Sequence, residues 1–183
     1  GLPADLPWIA VAAMMRPGDK AASYGLLAEA LACLRDLDWR LLVAGDGSAR
    51  RELEIHTRHL ELGDRVTFLG RVDDDHLIDL YSRCRAVVFV PYQEDYGYVT
   101  LEAFLSGKPV ITASDSGGPL EFVSHGHNGL VCEPTPEALA EAIDTIGTDK
   151  ARAEAYGREG EQVARTISWD TVVDRLVAPG LVS

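Results

Sequence analysis

The sequence predicts a doubly wound α/β domain, a parallel sheet covered by helices on both faces. Two observations carry that reading. Short apolar runs alternate with helical patterns along the chain, and polar or glycine-containing turns separate them. The runs are too short for helices and continuously apolar, as strands buried on both faces are.

The elements follow in order. Ile9 to Met15 reads as the first strand, and Ala21 to Leu37 as a helix carrying Leu26, Leu27, Ala30, Leu31 and Leu34 at helical spacing. Arg40 to Ala44 is a second strand closed by Gly45-Asp46-Gly47, with Ser48 as the expected N-cap of a helix running to about Leu62. Val66 to Leu69, Ala86 to Val90, Pro109 to Thr112 and Gly129 to Cys132 are the remaining strands. Helices are expected over Asp73–Arg83, Thr100–Ser106, Pro136–Ile146, about Ala151–Arg165 and Ser168–Val177. The chain thus reads as one domain over residues 1–183, with 151–183 a helical extension.

Composition narrows the function. The 183 residues hold 29 acidic side chains against 17 Lys plus Arg, a net charge of −12, which opposes a general nucleic-acid or anionic-membrane surface. No apolar run approaches the roughly 18–20 residues of a membrane span. Cys33, Cys84 and Cys132 are odd in number and far apart, so they suit neither a disulfide framework nor a zinc site. They are expected to be reduced and mostly buried, in a cytoplasmic protein. A first residue of Gly1 rather than Met raises the expectation of a piece of a longer chain.

In doubly wound folds, ligands bind at the carboxyl ends of the strands near the topological switch point. After the fourth strand comes Glu94-Asp95-Tyr96-Gly97-Tyr98-Val99-Thr100-Leu101-Glu102. Gly97 at a helix mouth lets a ligand approach, and free amides of Tyr98, Val99 and Thr100 with the helix dipole favour an anion. Glu94 before the helix and Glu102 one turn into it could take hydroxyls on either side of a phosphate. The plain alternative is two acids that merely suit the dipole. After the first strand, Arg16 and Lys20 could clamp a diphosphate, or could be solvated loop cations. Paired glycines in Asp115-Ser116-Gly117-Gly118-Pro119-Leu120-Glu121 form a third close-approach loop, or an ordinary turn.

These segments together resemble a known family. Glu94-x7-Glu102 continued by Ala103-Phe104-Leu105-Ser106-Gly107-Lys108-Pro109-Val110-Ile111 is similar to the signature of the retaining GT-B glycosyltransferases of group 1. Gly117 to Val123, Asn128-Gly129-Leu130-Val131, Gly45-Asp46-Gly47 and Arg65 to Val72 fall in the same register, from about Ile9 to Trp169. The resemblance implies a Rossmann-like domain, the C-terminal, donor-binding half of a GT-B enzyme that transfers a hexosyl group. It implies that Arg16 and Lys20 hold the diphosphate as it leaves, that Glu102 holds the ribose, and that Glu94 contacts the donor sugar. Backbone around Arg71-Val72 would read the base, and amides of Tyr98 to Thr100 would reach phosphate or sugar. No metal or other cofactor is expected, because cations and a helix N-terminus meet the developing charge.

The resemblance has departures. Met15 stands where glycine usually precedes the arginine, and Tyr96 where phenylalanine is commoner; neither removes a functional group. The family has a second, N-terminal acceptor domain, so the expected partners are a nucleoside-diphosphate sugar and that domain or subunit. Peripheral membrane attachment could come through it. A non-catalytic nucleotide-sugar-binding or partner subunit, or half of a GT-B nucleotide-sugar epimerase, are the alternatives.

Other polar clusters receive structural readings. Asp73-Asp74-Asp75 precedes a helix and suits a cap rather than a metal site, and His56 and His59 suit a surface helix. His125 and His127 lie in a loop near the expected site, with a substrate contact as the less favoured option.

Overall fold

The computed structural model describes residues 8–12, 19–34 and 40–167. The elements are β1 (Trp8–Ala12), α1 (Asp19–Cys33), β2 (Arg40–Ala44), α2 (Arg50–His59), β3 (Val66–Gly70), α3 (Asp74–Arg83) and β4 (Ala86–Val88). They continue with α4 (Tyr98–Leu105), β5 (Val110–Ala113), a 3-10 turn (Gly118–Glu121), β6 (Gly129–Cys132), α5 (Pro136–Thr148) and α6 (Lys150–Arg165). The strands form one parallel sheet in the order β3-β2-β1-β4-β5-β6. The chain works outward from β1 to β3, then returns to the other side of β1 through β4. The switch point therefore lies between β1 and β4, where Ile9 pairs with Ala86 and Ala10 with Val87.

Successive strand residues face opposite sides, so a continuously apolar strand supplies two cores. Ile9, Val11, Leu41, Val43, Val88 and Ile111 pack with Leu27 and Leu31 of α1, Leu53 of α2, and Leu139, Ile143 and Ile146 of α5. On the opposite face, Ala10, Leu42, Val87 and Val110 pack with Leu80 and Tyr81 of α3, Ala103 and Phe104 of α4, and Ala164 of α6. Each large side chain fully buried in this way contributes about 1.5–3 kcal/mol. The doubly covered parallel sheet is thus the arrangement expected from the sequence. Among the described residues no helix is long and apolar enough to cross a membrane.

Several boundaries differ. The α2 helix starts at Arg50, its N-cap is Ala49, and no side chain caps it, so Ser48 does not play the expected role. Arg50 instead ties down the helix start, donating to Glu54 at 2.8 Å and to the Phe68 carbonyl at 3.5 Å. The β4 strand stops at Val88 rather than Val90. Its ladder continues only through Phe89 N–H to the Ile111 carbonyl (2.9 Å), ahead of Pro91, which has no amide to donate. The α4 helix starts at Tyr98 instead of Thr100, because Gly97, at φ 79°, turns the chain straight into it. Asp73 caps α3 as expected, accepting from His76 N–H at 2.9 Å. The continuation of the first strand to Met15, the end of the first helix at Leu37, and the helix over 168–177 lie outside the described residues.

Two glycines of α6 settle how it packs. A Cβ on Gly157 would collide with the Gly107 carbonyl, and one on Gly160 with the Phe104 ring. The helix therefore comes down directly on α4 and the turn that ends it. Gly25, within α1, meets nothing within 4 Å.

Two predictions follow from this packing and burial. Gly25→Ala should stabilise by about 0.5–1 kcal/mol through helix propensity, whereas Gly157→Ala should destabilise by about 2 kcal/mol and lower Tm by about 4–8 °C. Urea and thermal unfolding of both variants read the opposite signs; a Gly157→Ala protein as stable as the parent would refute the close approach of α6. The three cysteines are free, Cys33 exposed, Cys132 half-buried and Cys84 buried, so only Cys84 matches the expectation of burial. Burial pushes the Cys84 thiol up to about 12 and the Cys132 thiol up to about 11. At pH 8 a chromogenic disulfide should label Cys33 first and Cys84 only on unfolding; prompt labelling of Cys84 in the native protein would contradict its burial.

Candidate functional site

The crevice at the carboxyl ends of β1 and β4 is framed by the loop over residues 89–97 and the loop over residues 114–118. These loops are joined along their backbones. Gln93 N–H donates to the Asp115 carbonyl (3.0 Å), Glu94 N–H to the Ser116 carbonyl (3.0 Å), and Gly118 N–H to the Glu94 carbonyl (2.7 Å). The pairing extends the contact of β4 with β5 as a parallel bridge between Glu94 and Gly117. Ser116 is fully buried, and its Oγ accepts the Ala113 N–H at 3.1 Å, which fixes the turn out of β5. Two of the segments singled out in the sequence are therefore a single structure.

That pairing explains the glycines. A Cβ on Gly117 would lie 2.6 Å from the Glu94 carbonyl oxygen, and one on Gly118 would lie 2.6 Å from that of Asp95. A Cβ on Gly97 would lie 2.8 Å from Pro119 Cγ and 3.1 Å from the Phe89 ring. Gly97 is buried. Close approach is required at all three positions, but its demonstrated partner is the neighbouring loop. Gln93 adopts a left-handed φ of 45°, which a residue with a side chain takes infrequently. Such geometry collects at functional loops held from outside.

At the start of α4, the Thr100 N–H donates to the Gly97 carbonyl at 2.9 Å, so it is not one of the free donors expected there. The first-turn amides of Tyr98 and Val99 remain. Thr100 is fully buried and its Oγ1 has no hydrogen-bond partner among the described residues, so its side chain belongs to the interior. Tyr98 is 69% exposed, and Tyr96 stacks obliquely on it with ring centroids 4.8 Å apart. Phe122, after the 3-10 turn, meets Tyr96 edge-on at 5.2 Å, adding an aromatic contact between the two loops.

Glu94 is half-buried in the paired loop, while Glu102 is exposed one turn into α4. The Tyr81 hydroxyl donates to Glu102 Oε2 across a long 3.4 Å. Tyr81 is 1% exposed; burial first, and the Glu102 charge second, push its phenol up, so it remains a proton donor. Sequence reasoning missed this support. The available signal was a tyrosine in the apolar stripe Leu77, Leu80, Tyr81, whose hydroxyl needs a partner once buried.

Arg71 is exposed and Val72 half-buried, in the loop between β3 and α3. Sheet order puts that loop two strands from β1, about 10 Å across the sheet. Lys20 lies in the first turn of α1, the helix after β1. Arg16 lies outside the described residues.

Other motifs prove structural. Asn128 is 2% exposed, accepting from Ser124 N–H (2.7 Å) and donating to the Phe122 carbonyl (2.9 Å). The imidazole Nδ1 of His125 accepts from Val131 N–H at 3.1 Å, pinning the edge strand β6. His59 is exposed, but His56 is half-buried with Nε2 3.8 Å from Glu29, linking α2 to α1. A groove of about 710 Å³ between those helices shares no lining residue with the Glu94 crevice.

Comparison with known proteins agrees with this architecture. The family model for glycosyl transferases group 1 matches residues 13–163. Human alpha-1,3/1,6-mannosyltransferase ALG2 is 39% identical over 150 residues, covering 74% of this chain and 36% of that protein. Sucrose-phosphate synthase from Thermosynechococcus elongatus has a TM-score of 0.85 and 31% identity, over 96% of this chain and 45% of that one. HepE from Anabaena, solved in complex with UDP-glucose, has a TM-score of 0.78 and 28% identity, over 88% of this chain and 44% of that one. The chain spans less than half the length of each of the three.

The loop pairing is directly testable. Gly117→Ala must place a side chain at φ 74° and against a carbonyl oxygen, and should cost about 2–4 kcal/mol. The readout is the urea midpoint; a midpoint equal to that of the parent protein would refute the pairing of the two loops.

Proposed function

Because this chain belongs to the glycosyl transferases of group 1, we propose that it binds a nucleoside-diphosphate sugar and presents it for hexosyl transfer, with retention of anomeric configuration. The observation that carries the reading is the joining of the Glu94 loop, the α4 mouth and the Gly117-Gly118 turn beside the switch point. A nucleotide sugar is long enough to cross several strand ends. Its base would lie near the backbone of Arg71 and Val72, its ribose hydroxyls on Glu102, and its sugar against Glu94.

The chemistry follows from charge. As the bond from the anomeric carbon to the leaving phosphate oxygen breaks, negative charge builds on the diphosphate. Arg16, Lys20 and the amides of Tyr98 and Val99 would stabilise that charge, in place from the start and without a metal ion. Tyr81, donating to Glu102, would restrict that carboxylate so that it meets the ribose with less ordering cost. In this reading the second wall of the cleft, which holds the acceptor, comes from an N-terminal domain or separate subunit. Transfer by the 183-residue chain alone would then be slight, since reaction requires the acceptor to be held against the donor. That HepE was solved with UDP-glucose makes UDP conjugates the first probes.

Calorimetric titration with UDP, GDP, ADP, UDP-glucose, GDP-mannose and ADP-glucose tests the proposal. One base should give saturable binding, weakened about 10–100-fold in Arg16→Ala and in Glu102→Ala, as expected for hydrogen bonds to charged groups. Absence of saturable binding to folded protein at millimolar ligand would sink it.

A further inference from the structure

Tyr24, in the second turn of α1, is 7% exposed, and its hydroxyl has no hydrogen-bond partner among the described residues. An unpaired buried hydroxyl costs about 1–3 kcal/mol, and phenylalanine would fill the same space without that cost. Burial also pushes the phenol up, so it stays protonated and able to donate. Its position is specific. Tyr24 lines a small cavity, about 30 Å³, with Val11 at the end of β1, Leu27, Val88, Val90 and Glu94. The cavity therefore opens at the switch point, under the loop that carries Glu94.

Size and lining restrict the occupant. A volume of that order holds a water or one hydroxyl-bearing carbon, not a whole sugar ring. The walls are apolar, including Phe89 and Pro91, apart from a few polar residues, among them Ser23, Tyr24 with its phenolic donor, and Glu94. A sugar hydroxyl both accepts and donates, so it can take the Tyr24 proton and give its own to Glu94 while its carbon rests on Val11 and Leu27. A phosphate oxygen only accepts, and would be repelled by the carboxylate. We propose that Tyr24 and Glu94 together seat one hydroxyl of the glycosyl unit of the donor, making Tyr24 a specificity residue. The inference rests on the reading that the chain binds a nucleotide sugar.

Tyr24→Phe tests it, because the variant keeps the packing and removes only the hydroxyl. Each diphosphate and its sugar conjugate (UDP with UDP-glucose, GDP with GDP-mannose, ADP with ADP-glucose) is titrated against both proteins, and Tm is measured alongside. For the base that binds, the variant should hold the sugar conjugate about 3–10-fold more weakly and the bare diphosphate within about 2-fold, with Tm unchanged or raised. Equal affinities of both proteins for the conjugate would overturn the proposal and leave the cavity to a water. A parallel loss for conjugate and diphosphate would overturn it too, since the contact would then be to phosphate. If the parent protein binds none of the six compounds, the donor reading itself fails and takes this proposal with it.

Discussion

The candidate site depends on the backbone pairing that carries on where β4 and β5 end. Past Phe89 the ladder is interrupted, and Pro91 has no amide with which to continue it. The chain nevertheless stays in register with its neighbour through the Glu94–Gly117 bridge and the hydrogen bonds on either side. This ties the Glu94 loop to the turn after β5 by backbone hydrogen bonds, and it is possible only because residues 117 and 118 have no Cβ. Everything proposed for Glu94 and for the start of α4 inherits its position from that seam.

A second support comes from below. The α4 helix is pressed onto the sheet by α6, whose Gly157 and Gly160 allow contact with the Gly107 carbonyl and the Phe104 ring. Phe104 and Ala103 are completely buried, while Glu102 beside them is exposed and receives the Tyr81 hydroxyl. One helix therefore serves both the core and the crevice. Its apolar face fixes the rotation that leaves Glu102 at the surface and the first-turn amides at the sheet end.

Electrostatics at the proposed site run against the overall charge. With a net charge of −12, the protein repels a diphosphate at long range. Attraction must come from short-range donors, such as the amides at the α4 start, whose effect is concentrated within a turn or so. Salt screens the distant repulsion more than the close contacts. An anion site in an acidic domain is thus physically consistent provided it is local and partly enclosed.

Much was legible in the sequence because it depends on local pattern. Continuous apolar runs alternating with helical spacing identified the parallel sheet, since strands covered on both faces need apolar residues at every position. Asp73 was recognisable as a cap because capping is decided within four residues. Similarity of ordered motifs identified the family, and pointed to Glu94, Gly97 and Glu102 as one group. Ser48 failed as a cap because the helix starts one residue later than a Ser48 cap needs, with Ala49 in the cap position and the Arg50 N–H already given to the Gly47 carbonyl of the preceding turn. The Thr100 amide was misread because the helix begins two residues early, at a glycine whose conformation tertiary contacts select. The joining of residues 93–94 to 115–118, the hydroxyl of Tyr81 on Glu102, and the unpaired hydroxyl of Tyr24 were invisible in one dimension. The first two link groups distant along the chain, the third depends on what surrounds a side chain, and only packing decides either. Periodicity and capping act over a few residues and so survive in the sequence; the site is made of long-range contacts, which only the folded chain specifies.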